Sequence, residues 1–106
     1  MVTSTKPKRA TPKPTSGPTD FRRSAERLKQ VSDLTRLHVL LLLGDGEQSV
    51  GALHSAIACS MTALSRHLAL LRLAGLVVPR RDGQQNIYTL TDAGRDMRRV
   101  VVGVVG

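Results

Sequence analysis

Positions 34–43, LTRLHVLLLL, constrain the fold of this chain more than any others. Leu34, Leu37, Leu40 and Leu41 share one helical face, and Val39, Leu42 and Leu43 cover most of the other. A helix that is apolar nearly all round has to be buried, so other elements must wrap it. Asp33 stands where its carboxylate can take the free amides of the first turn. Gly44-Asp45-Gly46 ends the helix, since glycine suits a left-handed C-terminal position. His38 is expected to join the packing around it. A chain of 106 residues supplies one such core and not two.

The flanking sequence supplies the wrapping. From Asp20, residues Phe21, Ala25 and Leu28 recur at i, i+4 and i+7, an apolar stripe on a first helix. Residues 49–57 read as a short third helix capped by Ser49. Ala58-Cys59-Ser60 is a tight break, after which Ser60 caps a fourth helix from Met61 to about Ala74. On that helix Leu64, Leu68 and Leu71 face inward; Thr62, Arg66, Ala69 and Leu73 lie opposite, with Ser65 beside them. Gly75 ends it. Leu76-Val77-Val78 and Asn86-Ile87-Tyr88-Thr89-Leu90, around a polar turn at 81–85, read as a β-hairpin. Thr91 caps a last helix through Ala93, Met97 and Val100 or Val101. Its end, VVVGVVG, has poor helix propensity and is expected to fray or lean on a partner. The pattern is mainly α: five helices and a two-stranded β-hairpin wing, a winged helix-turn-helix over residues 20–106. Residues 1–19 are Pro, Thr, Ser and Lys with almost nothing to bury, and are expected to be a disordered basic tail. Such a tail serves equally as an arm that touches phosphate or as a solvated appendage.

Charge points to a polyanion. Lys plus Arg number 16 against 8 Asp plus Glu, a formal net charge of +8. Half of the surplus lies in the tail and half in the folded part, so it is not only a tail effect. Nucleic acid or an anionic membrane are the partners such a balance favours. Phe21 and Tyr88 are the only aromatic residues, which argues against single-strand or RNA recognition on stacking platforms. No apolar run approaches the roughly 20 residues needed to span a bilayer, so no membrane partner is expected. Cys59 is the only cysteine, leaving neither an intrachain disulfide nor a thiolate cluster for zinc. A cytoplasmic, bacterial, nucleoid-associated location fits. No carboxylate pair, Ser/His/Asp set or Gly-rich phosphate loop suggests an enzyme.

Two short helices joined by a three-residue break, followed by a basic hairpin, suit duplex DNA. Small and polar residues on the outer face of the fourth helix let its backbone sit deep in a major groove about 12 Å wide. Ser60 and Thr62 lie at its N-terminus, where free amides attract phosphate. Arg66, one turn on, is placed to reach a guanine edge. Arg80, Arg81, Gln84 and Gln85 form a wing tip able to reach backbone or minor groove.

The stretches SDLTRLHVLLLL and SVGALHSAIACSMTALSRHLALLRLAGLV, with a hairpin ending in IYTLT, resemble the ArsR/SmtB-type (arsenic-repressor-like) winged-helix transcriptional regulators over roughly residues 20–95. The most specific piece is LSRHLALLRLAGLV, residues 64–77. The resemblance implies a repressor, usually homodimeric, acting on a near-palindromic operator. It puts DNA contacts at Ser60, Met61, Thr62, Ser65, Arg66 and His67, and the wing at residues 80–85. Met61 stands where the family often has glutamine, so readout there has to be apolar, for example against a thymine methyl. Leu34 replaces the family's usual proline.

The resemblance also implies a dimer interface on the terminal helices, at Phe21, Ala25, Leu28, Met97, Val101 and Val104. The family's metal sites have no counterpart: Ser49-Val50-Gly51 stands where paired thiolates would be, and the last helix has neither His nor Glu. No metal, cofactor or dithiol sensor is expected, and the effector is not readable. Cys59 is expected to be a small core hydrophobe, and His67 to form hydrogen bonds rather than ligate metal. An architectural DNA binder without an effector is the alternative function.

Overall fold

The computed structural model describes residues 18–105. The basic tail expected over residues 1–19 falls outside them, apart from Pro18 and Thr19, which open the first helix instead. Proline suits the first turn of a helix, where no N–H is needed.

The elements run α1 (Pro18–Val31), α2 (Leu34–Leu43), β1 (Gln48–Ser49), α3 (Val50–Ala56), α4 (Met61–Leu73), β2 (Val77–Asp82), β3 (Gln85–Leu90) and α5 (Asp92–Val105). The five helices and antiparallel hairpin agree with the sequence reading. One strand is additional: β1 pairs antiparallel with β3, so the wing is rooted in a three-stranded sheet of order β1-β3-β2.

Four side chains start helices as their positions require. Asp33 accepts from the Arg36 amide at 3.0 Å, Ser49 from Ala52 at 3.0 Å, Ser60 from Ala63 at 3.0 Å and Thr91 from Gly94 at 3.0 Å. Each satisfies an amide that the helix itself cannot. At the end of α2, Gly44 stays right-handed, because its N–H still bonds to Leu40 and Leu41. The left-handed residue there is Gly46, at φ 138°.

The core joins Val39, Leu40 and Leu43 of α2 to Leu53, Ile57, Leu64, Leu68, Leu71, Leu76, Val77 and Leu90. Burial of α2 is less complete than its composition suggests. α1, α4, α5 and β3 pack against it, but Leu34 is 81% exposed, Leu37, Leu41 and Leu42 are half-buried, and His38 is exposed rather than packed. One chain of this size has too few elements to surround a helix. Cys59 is half-buried against the core, as a small hydrophobe would be.

α5 is fastened to the elbow between α4 and β2. The Thr91 N–H donates to the Leu76 carbonyl at 3.0 Å, and its hydroxyl donates to the Gly75 carbonyl at 2.6 Å. Gly75 is left-handed, at φ 79°. Gly94 is buried against the same elbow, where a Cβ would collide with the Leu76 carbonyl oxygen. With this anchor and Ala93, Met97 and Val101 packed on the core, α5 stays helical through its Val-rich end to Val105. Gly94→Ala is therefore expected to destabilise the fold by about 1–3 kcal/mol despite alanine's better helix propensity. Urea denaturation of both proteins at equal concentration checks this; equal or greater stability of the variant contradicts the close-approach account.

Candidate nucleic-acid interface

α3, the Ile57–Ser60 turn and α4 form a helix-turn-helix whose second helix is held from within. Leu64, Leu68 and Leu71 are at most 2% exposed. The Arg27 Nε donates to the Ala74 carbonyl at 3.0 Å, tying the end of α4 to α1. The opposite face is left to solvent: Met61, Thr62, Ser65, Arg66 and Ala69 are all exposed, and Ser60 just before them is exposed too.

The wing lies beside this face. Asp82 pairs with Gln85, leaving Gly83-Gln84 as a two-residue turn. Gly83 takes φ 64°, a conformation that favours glycine. Between α3, α4 and the wing lies a cleft of about 500 Å³. Met61 and Ser65 line it from the helix, Gln84, Gln85 and Asn86 from the wing, and Ser49 from the start of α3. No charged residue among the described residues lines it, so what it offers is hydrogen bonding, the Met61 thioether and the apolar side chains of Val50, Ala52 and Leu68.

Two residues expected at the contact surface are instead engaged within the chain. The half-buried His67 meets α2, with its Nδ1 3.0 Å from Arg36 Nη1. A guanidinium only donates, so Nδ1 is the acceptor and the ring proton sits on Nε2. Arg36 is itself held, its Nε donating to the Gln30 carbonyl at 2.8 Å. Asp33 lies 3.9 Å from His67 Nδ1. The Arg36 amide donating to it, reinforced by the charge of Arg36, holds the Asp33 carboxyl below the usual aspartate value. His67 thus braces α4 against α2, because it flanks the apolar face of its helix rather than the outer one.

Arg80 is the second. Its Nη2 and Nε donate to the two Glu47 carboxylate oxygens at 2.6 and 3.3 Å. That hydrogen bonding raises its pKa further, and Asp82 lies 4.0 Å away. Arg80 sits midway along the wing, opposite Ile87, and its charge is paired there with Glu47. Arg81 is exposed but folds along the turn, its Nε donating to the Gly83 carbonyl at 3.1 Å. Arg36, Glu47 and Asn86 complete the site without having been singled out. Arg36 had a signal, three residues after the Asp33 cap. Glu47 had none, because only the pairing of β1 with β3 carries it to Arg80.

A helix-turn-helix with an exposed polar second helix and a hairpin beside it is a winged helix-turn-helix. A family model described as a helix-turn-helix domain matches residues 31–80. The transcriptional activator HlyU of Vibrio cholerae is 47% identical over 64 residues, 60% of this chain and 59% of that one. The solved HlyU structure superposes with TM-score 0.77 at 35% identity, covering 83% of this chain and 97% of that chain. The arsenical resistance operon repressor of Escherichia coli is 44% identical over 64 residues, 59% and 55% of the two chains. A homodimeric winged helix-turn-helix DNA-binding domain from Mycobacterium bovis, Mb0332, superposes with TM-score 0.76 at 26% identity, covering 91% and 90%. The chain belongs to the ArsR/SmtB-type family of winged helix-turn-helix regulators. It spans 59% and 60% of the length of the first curated relatives it matches.

The Asp33 cap carries a pH signature. Its carboxyl has a lower pKa folded than unfolded, so the folded state binds fewer protons. The stability it contributes is fully present above the ordinary value near 3.8 and is lost as pH falls through the depressed one. Asp33→Ala is expected to cost about 1 kcal/mol at neutral pH, with the gap to wild type closing in acid. Urea denaturation from pH 7 down to pH 3 measures it, and a pH-independent gap contradicts the ionised cap.

Proposed function

We propose that this protein is a sequence-specific double-stranded-DNA-binding transcriptional regulator, a homodimeric repressor acting in the bacterial cytoplasm on a near-palindromic operator. The carrying observation is the exposed, small-residue face of α4, with Arg66 standing free of any ion pair among the described residues and the wing alongside. Arg66 reads a guanine edge through its two-pronged guanidinium, and Met61 contacts a thymine methyl. Ser60 and Thr62 meet phosphate at the start of α4. Ser65, Gln84 and Gln85 bond to the strand that enters the cleft, and Arg81 supplies charge at the wing tip. His67 and Arg80 act indirectly, by holding α4 and the wing in place.

Dimerisation is supported by apolar surface left uncovered among the described residues. Phe21 is 76% exposed, Ala25, Leu28 and Val104 are exposed, and Met97 and Val101 are half-buried. α1 and α5 flank a groove of about 320 Å³ lined by Leu28, Ala93, Met97 and Val100. A second copy presenting the same helices covers it, and brings two copies of α4 into successive major grooves about 34 Å apart.

Two measurements test this. Genomic fragments selected by binding are expected to yield a palindrome with half-sites one turn apart, bound by a dimer in light scattering. On that site Arg66→Ala is expected to lose roughly 1–3 kcal/mol and relax specificity. Arg81→Ala weakens all sequences alike and lowers the salt slope by about 1. Arg80→Ala moves the slope less, because Glu47 already neutralises that charge. An unchanged ratio of operator to random-DNA affinity in Arg66→Ala removes the base-reading role.

A further inference from the structure

A second concave site lies away from the α4 face and shares no residue with it. Three arginines at one face of α5, Arg95, Arg98 and Arg99, converge on a cleft of about 310 Å³ floored by Gly44, Gly46, Thr89 and the end of α2. No acidic residue among the described residues lines the cleft. Arg95 and Arg99 have exposed partners, Asp92 at 2.5 Å and Asp96 at 2.6 Å, and Arg95 also donates to the Leu90 carbonyl at 3.0 Å. Exposed ion pairs made through a single contact, unlike the two-pronged Arg80–Glu47 pair, are weak and exchange readily with a competing anion.

Arg98 differs from both. It has no acidic partner among the described residues, and its Nε is shut off from solvent without an acceptor. It lies across Gly44, where any Cβ would strike the guanidinium. Like charges at i, i+3 and i+4 repel along a helix, and a buried N–H without an acceptor costs stability. The repulsion is relieved by one oxyanion seated among the three guanidinium groups, and a turn of the Arg98 side chain brings its Nε to the same anion.

We propose that this cleft binds a small free oxyanion, a phosphate- or carboxylate-bearing metabolite, held by Arg98 with Arg95 and Arg99. Guanidinium forks match the paired oxygens of both groups. The volume matches a compact organic anion. The cleft joins α5, which carries the proposed dimer surface, to the root of the wing at Thr89 and Leu90. Occupancy of the cleft is thus placed to act on DNA binding; that consequence rests on the function proposed above, whereas binding itself does not.

The probes are inorganic phosphate and citrate, each against sodium chloride of equal ionic strength and at fixed protein concentration. Saturating phosphate or citrate is expected to raise the Tm of the full chain by roughly 4 °C or more over chloride. In amide NMR spectra the shifts are expected at Gly44, Gly46, Thr89 and the Arg98 Nε–H. Arg98→Gln abolishes the response while leaving DNA affinity in chloride unchanged. Equal effects of chloride, shifts scattered over the basic surface, or a full response in Arg98→Gln mean an adventitious ion only and overturn the proposal. A loss of DNA affinity in Arg98→Gln assigns these arginines to the nucleic acid and overturns it as well. If Arg98→Gln does not fold, Arg99→Gln and the wild-type shift map decide the question by the same criteria. A localised response without any effect on DNA leaves the site standing and removes only its regulatory consequence.

Discussion

The rest of the structure depends on the burial of one face of α4. Leu64, Leu68 and Leu71 are sealed against α2 and the elbow residues Leu76 and Val77. Burial is worth roughly 1.5–3 kcal/mol for each such side chain, so the three together decide which way the helix faces. Once they point inward, the helical repeat leaves Thr62, Ser65, Arg66 and Ala69 no direction but outward. The exposed face is the complement of the core face, and its exposure requires no separate device. The wing follows from the same core, since Val77 and Leu90 root its two strands.

Electrostatics then sorts the basic residues. A net charge of +8 suggests a uniformly cationic surface, but most of the arginines with defined partners are spoken for. Arg36 braces α2 and α4, Arg27 caps the end of α4, Arg80 is held by Glu47, and Arg95 and Arg99 have aspartates one turn away. Where charge is engaged between elements, as at Arg27, Arg36 and Arg80, it stabilises geometry. Arg66 on the exposed face of α4 and Arg98 in the α5 cleft have no such partner among the described residues, and neither have Arg22, Arg23 and Arg72.

The fold was legible because its signals are local. Asp33, Ser49, Ser60 and Thr91 each stand one residue before an amphipathic run, and each caps its helix. What was not legible depended on neighbours distant in sequence. β1 has two residues and no periodicity, so neither it nor the Glu47–Arg80 pair announces itself. His67 flanks the boundary between the two faces of α4, and a helical wheel does not say that Arg36 waits on the other side. The leucines of α2 read as fully buried because a wheel reports polarity and not the number of elements available to cover it. Pro18 read as part of a proline-rich tail, although proline equally suits a first helical turn. The Val-rich end of α5 read as frayed or leaning on a partner, and the helix runs through it to Val105 because propensity is a weak prior beside packing.

Thr91 gives the molecule a mechanical property. One side chain and its amide join three things: the last carbonyls of the recognition-helix elbow, the end of β3 and the first turn of α5. Gly94 presses the helix against that same elbow with no side chain between. α5 is therefore rigidly coupled, at its first turn, to the segment where the recognition helix stops and the wing begins. A tilt of α5 is geared into α4 and the wing at once, with the elbow as fulcrum. Any force applied along that helix, by a second chain or by a ligand at its arginines, is delivered to the recognition helix and the wing together.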